Sequence, residues 1–305
     1  MNKQTTITFS PLAPIKSGTA VVLAEEGAVL SPAGKALDKS LGGVIAKVAK
    51  HQGFKGKKKS FLDILAAGSS NLDRVLVVGA GKLKDYSSNN WVDLGAIIRA
   101  RLSGKDNPVT VVLETTAKPH DVSGEQAADV ALGMLLRSYT FEKYKTKSAK
   151  KDAESDNKDT HLSKISVQCA GAAAARRAYG ARKAVGEGVN VARDLVNEPA
   201  NILGPKEFAE RTKALSKLGV KVQLLDQKEL KRLGMDALLA VGQGSARPYY
   251  VSVMHWQGGK KGDAPVAIVG KGVTFDTGGI SIKPAAGMGD MKGDMAGAGC
   301  VPGLM

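Results

Sequence analysis

Two rhythms of apolar and polar residues alternate along the first half of the chain. Thr19–Leu23 (TAVVL), Arg74–Val78 (RVLVV) and Val109–Leu113 (VTVVL) are unbroken, largely β-branched runs. Runs of this kind predict strands buried on both faces, as in parallel sheets. Between them, residues 32–52, 91–104 and 123–144 carry the spacing of helices. The last of these opens on Ser123 with Gln126 three residues on, the spacing of a capping box. Strands alternating with helices indicate an α/β domain.

A polar stretch follows at Lys143–Asp159, with six lysines and four acids, and predicts an exposed loop or boundary. A short strand is expected at KISVQCA, and then an Ala- and Arg-rich helix over 170–195 that bridges two domains. Beyond Asn197 the α/β rhythm resumes. Helices are predicted at PKEFAERTKALSKLG and QKELKRLGMDALLAVG, and strands at KVQLLD, YYVSVMHW and APVAIVG. The expected division is an N-terminal α/β domain over 1–165, a linking helix over 166–196 and a second domain over 197–305.

Composition adds limits rather than detail. The 305 residues are 43% hydrophobic and 24% charged, a globular balance and not that of a disordered chain. Aromatics make up only 5%, so the core must be aliphatic. The formal charge of +15 favours anionic partners, DNA among them. Part of it lies in Lys55–Lys59 (KGKKK), without an aromatic stacking platform or a recognition-helix pattern, which reads as solvated lysine. Cys169 and Cys300 stand far apart in no metal-binding spacing, which points to a reducing compartment and no disulfide framework. The N-terminal residues lack an apolar signal core, and no run approaches the length of a membrane span. A cytoplasmic location is the expectation.

The chemistry concentrates in Val269–Pro284, VGKGVTFDTGGISIKP, where Lys271, Asp276 and Lys283 sit among glycines. If Ala264–Gly270 is a buried strand, Lys271 falls at its carboxyl end, where open α/β sheets place ligand sites. Gly278 and Gly279 permit backbone angles that other residues resist. The plainer alternative is a glycine-rich turn whose Lys and Asp form a surface ion pair. In Met288–Met295 (MGDMKGDM), Asp290 and Asp294 are four apart. Asp294 alone reads as a helix cap. Together with the lysines and Asp276, the carboxylates also suit a hard-cation site. Smaller signals carry less. VVGAGK (Val77–Lys82) lacks a full phosphate-loop pattern and reads as a strand-to-loop turn. His51, His120, His161 and His255 show no metal-binding spacing, and NEPAN (Asn197–Asn201) reads as a turn that positions the next helix.

Three stretches, in this order, resemble the leucyl aminopeptidase (cytosol aminopeptidase) family: DLVNEPANILGPKEFAE, LLAVGQGSARPYYVSVMHW and VGKGVTFDTGGISIKPAAGMGDMKGDM. The resemblance is specific from Asn197 onward and weak before it. It implies an N-terminal α/β (macro-like) domain followed by an α/β aminopeptidase catalytic domain with a mixed, mostly parallel sheet. It also implies a two-metal hydrolase that removes N-terminal residues, leucine preferred, from peptide substrates. Lys271, Asp276 and Asp294 would hold two divalent ions, Mn²⁺ or else Zn²⁺. Lys283 would be the catalytic cation that steadies the oxyanion. The family assembles as a homohexamer, and some members also bind DNA.

The family completes its site with a later Asn-Thr-Asp-Ala-Glu-Gly-Arg segment, and these 305 residues contain nothing like it. The resemblance therefore implies a C-terminally truncated member with an incomplete catalytic domain. Three ligands for two dications imply that at least one metal is lost or weak. Little peptidase activity and poor stability of the second domain are expected. Pro302 is unexpected inside what should be an early helix of the catalytic domain, because proline disrupts a helix interior.

Overall fold

A computed structural model describes residues 5–65, 71–116, 122–146 and 162–305. The chain separates into two units, Met1–Gly186 and Glu187–Met305.

The first unit is built on one sheet with strand order β1-β7-β6-β2-β5-β4, and a short β3 pairs with β2. The strands are β1 (Thr6–Ser10), β2 (Gly18–Glu25), β3 (Val29–Leu30), β4 (Phe61–Leu65), β5 (Leu72–Gly81), β6 (Val109–Val112) and β7 (Lys164–Gln168). The pairs β1–β7, β7–β6, β6–β2 and β2–β5 are parallel, whereas β4–β5 and β2–β3 are antiparallel. The central runs are apolar throughout because each serves two cores. Val21, Leu23, Leu76 and Val78 enter one core with Trp91, Ile98, Val130 and Met134. Ala20, Val22, Val75 and Val77 enter the other with Leu37 and Ile45. Helices α3 (Ser88–Arg99) and α4 (Gly124–Arg137) supply the first face, and α1 (Pro32–Ser40) and α2 (Val44–His51) the second.

The capping box expected at the start of α4 is present. Ser123 Oγ accepts from the Gln126 N–H at 3.2 Å, and Gln126 Oε1 accepts from the Ser123 N–H at 2.8 Å. The single helix expected over 32–52 is two helices, because Gly42 and Gly43 both adopt positive φ between them. Edge strands β1 and β4 left a weaker trace in the sequence. Only alternate residues, Ile7 and Phe9 in β1 and Leu62 and Ile64 in β4, are buried. The polar stretch expected at 143–159 lies mostly outside the described residues.

A half-buried polar knot ties β5 to the loop before β6. The Arg74 guanidinium pairs with Asp63 at 2.7 Å and Asp106 at 2.9 Å. Asp106 also accepts from the Ser103 N–H at 2.7 Å and the Thr19 hydroxyl at 3.1 Å. Burial pulls the Asp106 carboxyl upward, but the Ser103 amide and Arg74 outweigh it and hold the group below the usual carboxylate range.

Helix α5 (Ala172–Asn197) runs through the division between the units. In the second unit, α6 (Pro205–Lys213) packs on an antiparallel pair, β8 (Lys221–Leu225) and β9 (Val251–His255). The helix expected over 227–242 is two, α7 (Gln227–Arg232) and α8 (Asp236–Gly242), separated at Gly234, whose φ is +69°. The last helix, α9 (Ala296–Leu304), continues through Pro302. The proline lies in its final turn, so only the one N–H bond is forgone.

The strand expected at Ala264–Gly270 is not formed. The segment has no regular structure, and Val266 and Val269 are 87% and 94% exposed. No strand pairs with it among the described residues. A strand is stabilised by its neighbours' hydrogen bonds and by apolar cover, and here an apolar sequence has neither.

Candidate metal centre

Lys271 does not rest on a strand end. Its position is set by close backbone approach instead. The Ala298 N–H, in the first turn of α9, donates to the Lys271 carbonyl at 2.9 Å. Gly270 packs so closely on Gly297 that any Cβ there would collide with the Gly297 carbonyl oxygen. Across this contact, Lys271 Nζ lies 2.8 Å from Asp294 Oδ2. Asp294 was open to reading as a helix cap. Its side chain instead faces Lys271, and the N-cap position of α9 belongs to Met295, which makes no side-chain cap.

Asp276 organises the rest of the loop. Its Oδ1 accepts from the Gly278 N–H at 2.8 Å and from Lys283 Nζ at 2.8 Å. Gly278 and Gly279 have φ of +96° and +80°, the conformation glycine alone adopts without strain. Lys283 also closes the loop through its N–H, which donates to the Thr277 carbonyl at 2.8 Å. The Asp276 carboxyl is held below its ordinary range. The Lys283 bond is the largest cause, followed by the Gly278 amide, and the charge of Lys271 adds to both. Asp276 thus feels the charge of both lysines, and the four expected site residues form two Lys–Asp pairs. Asp290 is exposed on the turn Met288–Gly293.

Among the described residues no group of three or more His, Cys, Asp or Glu side chains gathers at one point. A cation held here would draw on Asp276, Asp294 and the Lys271 amine. The donor chemistry fits: carboxylate oxygens suit hard dications, and lysine can ligate once a metal displaces its proton.

The turn Asn197–Asn201 is held by three cationic side chains. The Ile202 and Leu203 N–H groups donate to the Pro199 carbonyl at 2.9 Å each, which confirms a turn. The Arg247 guanidinium donates to the Ala200 and Asn201 carbonyls, both at 3.3 Å. Arg211 pairs with the buried Glu198 at 3.4 Å. Lys292 Nζ donates to the Asn197 carbonyl at 3.3 Å. Met295 is fully buried with Leu195 and Leu203. Arg247 and Lys292 were not singled out from sequence. Lys292 stands inside MGDMKGDM, and the clue to it was the absence of any basic residue in the last turn of α5.

In the first unit, Gly81 and Lys82 line a shallow cleft of about 450 Å³ with Glu25, Glu26 and Thr116. Lys82 is paired with Glu26 at 3.5 Å. The chain then enters a three-residue 3₁₀ turn, Leu83–Asp85, and not a helix that could receive phosphate. VVGAGK is thus a strand-to-loop turn. Among the described residues no helix is long and apolar enough to cross a membrane.

Known proteins place this architecture. Residues 21–148 match the cytosol aminopeptidase family, N-terminal domain, and residues 190–305 match its catalytic domain. The chain belongs to the cytosol aminopeptidase family, whose peptidases are metal-dependent hydrolases. A probable cytosol aminopeptidase of Rhizobium leguminosarum bv. trifolii is 46% identical, and one of Chelativorans sp. 47%, each over 305 residues. Both cover 100% of this chain, which spans 60% of their length. Among solved structures, a tomato leucine aminopeptidase variant shares the fold, with a TM-score of 0.79 at 24% identity, over 98% of this chain and 58% of that one. The bottromycin maturation enzyme in complex with Mn gives 0.69 at 26% identity, over 94% and 55%.

Proposed function

We propose that this chain carries the amine-and-carboxylate part of a two-metal aminopeptidase site that removes N-terminal residues, leucine preferred, from peptides. The observation that carries the reading is the two ion pairs that the glycine-rich segment makes, Lys271–Asp294 and Lys283–Asp276, each at 2.8 Å. Lys271, as a neutral amine, and the carboxylates of Asp276 and Asp294 hold the metal. Bound dications supply a polarised scissile carbonyl and a water of lowered pKa. Lys283 stays cationic, oriented by Asp276, and stabilises negative charge on the reacting carbonyl oxygen. Mn²⁺ is the favoured ion, with Zn²⁺ the alternative, because a structural neighbour is recorded with Mn. Three ligands are few for two dications, so we expect modest affinity and low turnover from these residues. A cytoplasmic homohexamer acting on peptides belongs to the same reading. The DNA-binding alternative rests on net charge and on the family resemblance.

The experiment is a Mn²⁺ titration of the 305-residue chain followed by electron paramagnetic resonance, beside an assay of leucine p-nitroanilide. Binding that weakens at least about tenfold in Lys271→Met and Asp294→Asn is expected, the cost of losing a ligand-shell group. Binding that is absent, or indifferent to both substitutions, overturns the site.

A further inference from the structure

The turn that presents Asp294 is anchored on both sides, and one anchor is a charged group with no role in the reading above. Helix α5 spans 26 residues and ends at Asn197 with no basic residue in its last turn. The last carbonyls of a helix lack intrahelical donors and carry partial negative charge. A lysine from elsewhere in the chain supplies the cation: Lys292 Nζ donates to the Asn197 carbonyl at 3.3 Å. Three residues on, Met295 is fully buried with Leu195 and Leu203. Three further on, the Ala298 N–H donates to the Lys271 carbonyl. Asp294 lies between the first two anchors, and the third carries its partner Lys271.

We propose that Lys292 is a positioning residue, whose bond to the carboxyl end of α5 fixes the rotation of the Met288–Gly293 turn and so aims the Asp294 carboxylate at Lys271. Met295 sets depth only, because apolar contact has no direction. The amine-to-carbonyl bond adds the missing orientation. The inference rests on the metal reading for its consequence, but the geometry it asserts does not.

The test uses the whole chain and three proteins: wild type, Lys292→Met, which keeps the aliphatic stem, and Lys292→Arg, which keeps a donor. Hydrogen exchange of residues 288–299 reports the turn directly, and exchange in β8, in the same unit, serves as the control for that unit's stability. Mn²⁺ affinity reports the consequence. Lys292→Met should lose about tenfold protection in 288–299 with β8 unchanged, and should weaken Mn²⁺ by about tenfold, the usual cost of losing a ligand's supporting partner. Lys292→Arg should restore both. Unchanged exchange in Lys292→Met, or a loss that Lys292→Arg does not restore, overturns the proposal. If wild type binds no Mn²⁺ yet the exchange pattern appears, the positioning role stands and the metal reading falls.

Discussion

Arg74–Val78 and Ala264–Gly270 are both short apolar runs with a β-rich composition, and they have opposite fates. In β5 the run is flanked by β2 and β4 and covered by helices on both faces, so Val75 and Val77 are fully buried. In the second unit the run has no partner strand among the described residues, and its valines face solvent. The residues are of the same kind, but the neighbours differ. An apolar run therefore specifies that it needs cover, while a strand forms only where other segments provide hydrogen bonds and packing.

Measurements on both units sharpen that contrast. Leu76→Ala should destabilise the first unit by about 4 kcal/mol, the cost of a cavity in a close-packed sheet. Ile280→Ala, at an exposed position of the second unit, should change stability by less than about 0.5 kcal/mol. Leu76→Ala can be followed by denaturation with the fluorescence of Trp91, buried in the first unit, after Trp256→Phe removes the second tryptophan, and Ile280→Ala by hydrogen exchange of α6, β8 and β9 in the second unit. Equal effects at the two positions would erase the contrast.

Asp106→Ala should cost about 3 kcal/mol, because it strands part of the Arg74 charge, with Asp63 retained as a partner. The same group sets a pH dependence. Its folded pKa lies below the unfolded one, so its stabilisation is complete above the ordinary carboxylate range. It is lost as pH falls through the depressed value. The gap between wild type and Asp106→Asn should therefore narrow on acidification. A gap that widens would contradict the hydrogen-bond account.

Gly270→Ala should cost about 2 kcal/mol of local stability through overpacking against Gly297, seen as faster exchange in 294–304. Native protection in that variant would mean the close approach is dispensable. The smallest effect belongs to Asp276. Its side chain is 44% exposed, so its ion pair is screened and should leave global stability unchanged. A carbon-detected NMR titration should still find it below the ordinary aspartate range, and Lys283→Met should raise it. An unchanged midpoint in that variant would separate Lys283 from Asp276.

Much of the first unit was legible because its strands are buried on two faces and its helices carry cap signals. Ser123 and Gln126 announced α4 without reference to anything distant. The edge strands β1 and β4 were harder, since five residues with alternate burial resemble an ordinary loop. At the site, the residue types of Lys271, Asp276, Lys283 and Asp294 could be read from one glycine-rich stretch. Their pairing could not. Sequence suggested that Lys271 sits at a strand end, and Asp294 taken alone read as a helix cap. The Gly270–Gly297 approach and the Ala298 bond decided otherwise.

By itself the sequence determined which segments prefer helix or strand, which residues can carry charge or hold a cation, and the family to which the chain belongs. Those properties are local, or lie in the order of short motifs. Only the tertiary structure decided that Lys271 faces Asp294, that Lys283 faces Asp276 and that Lys292 and Arg247 bind carbonyls of the 197–201 turn. Contacts such as Lys292 to Asn197, 95 residues apart, depend on how helices and turns close on one another in space, and no local spacing encodes that distance.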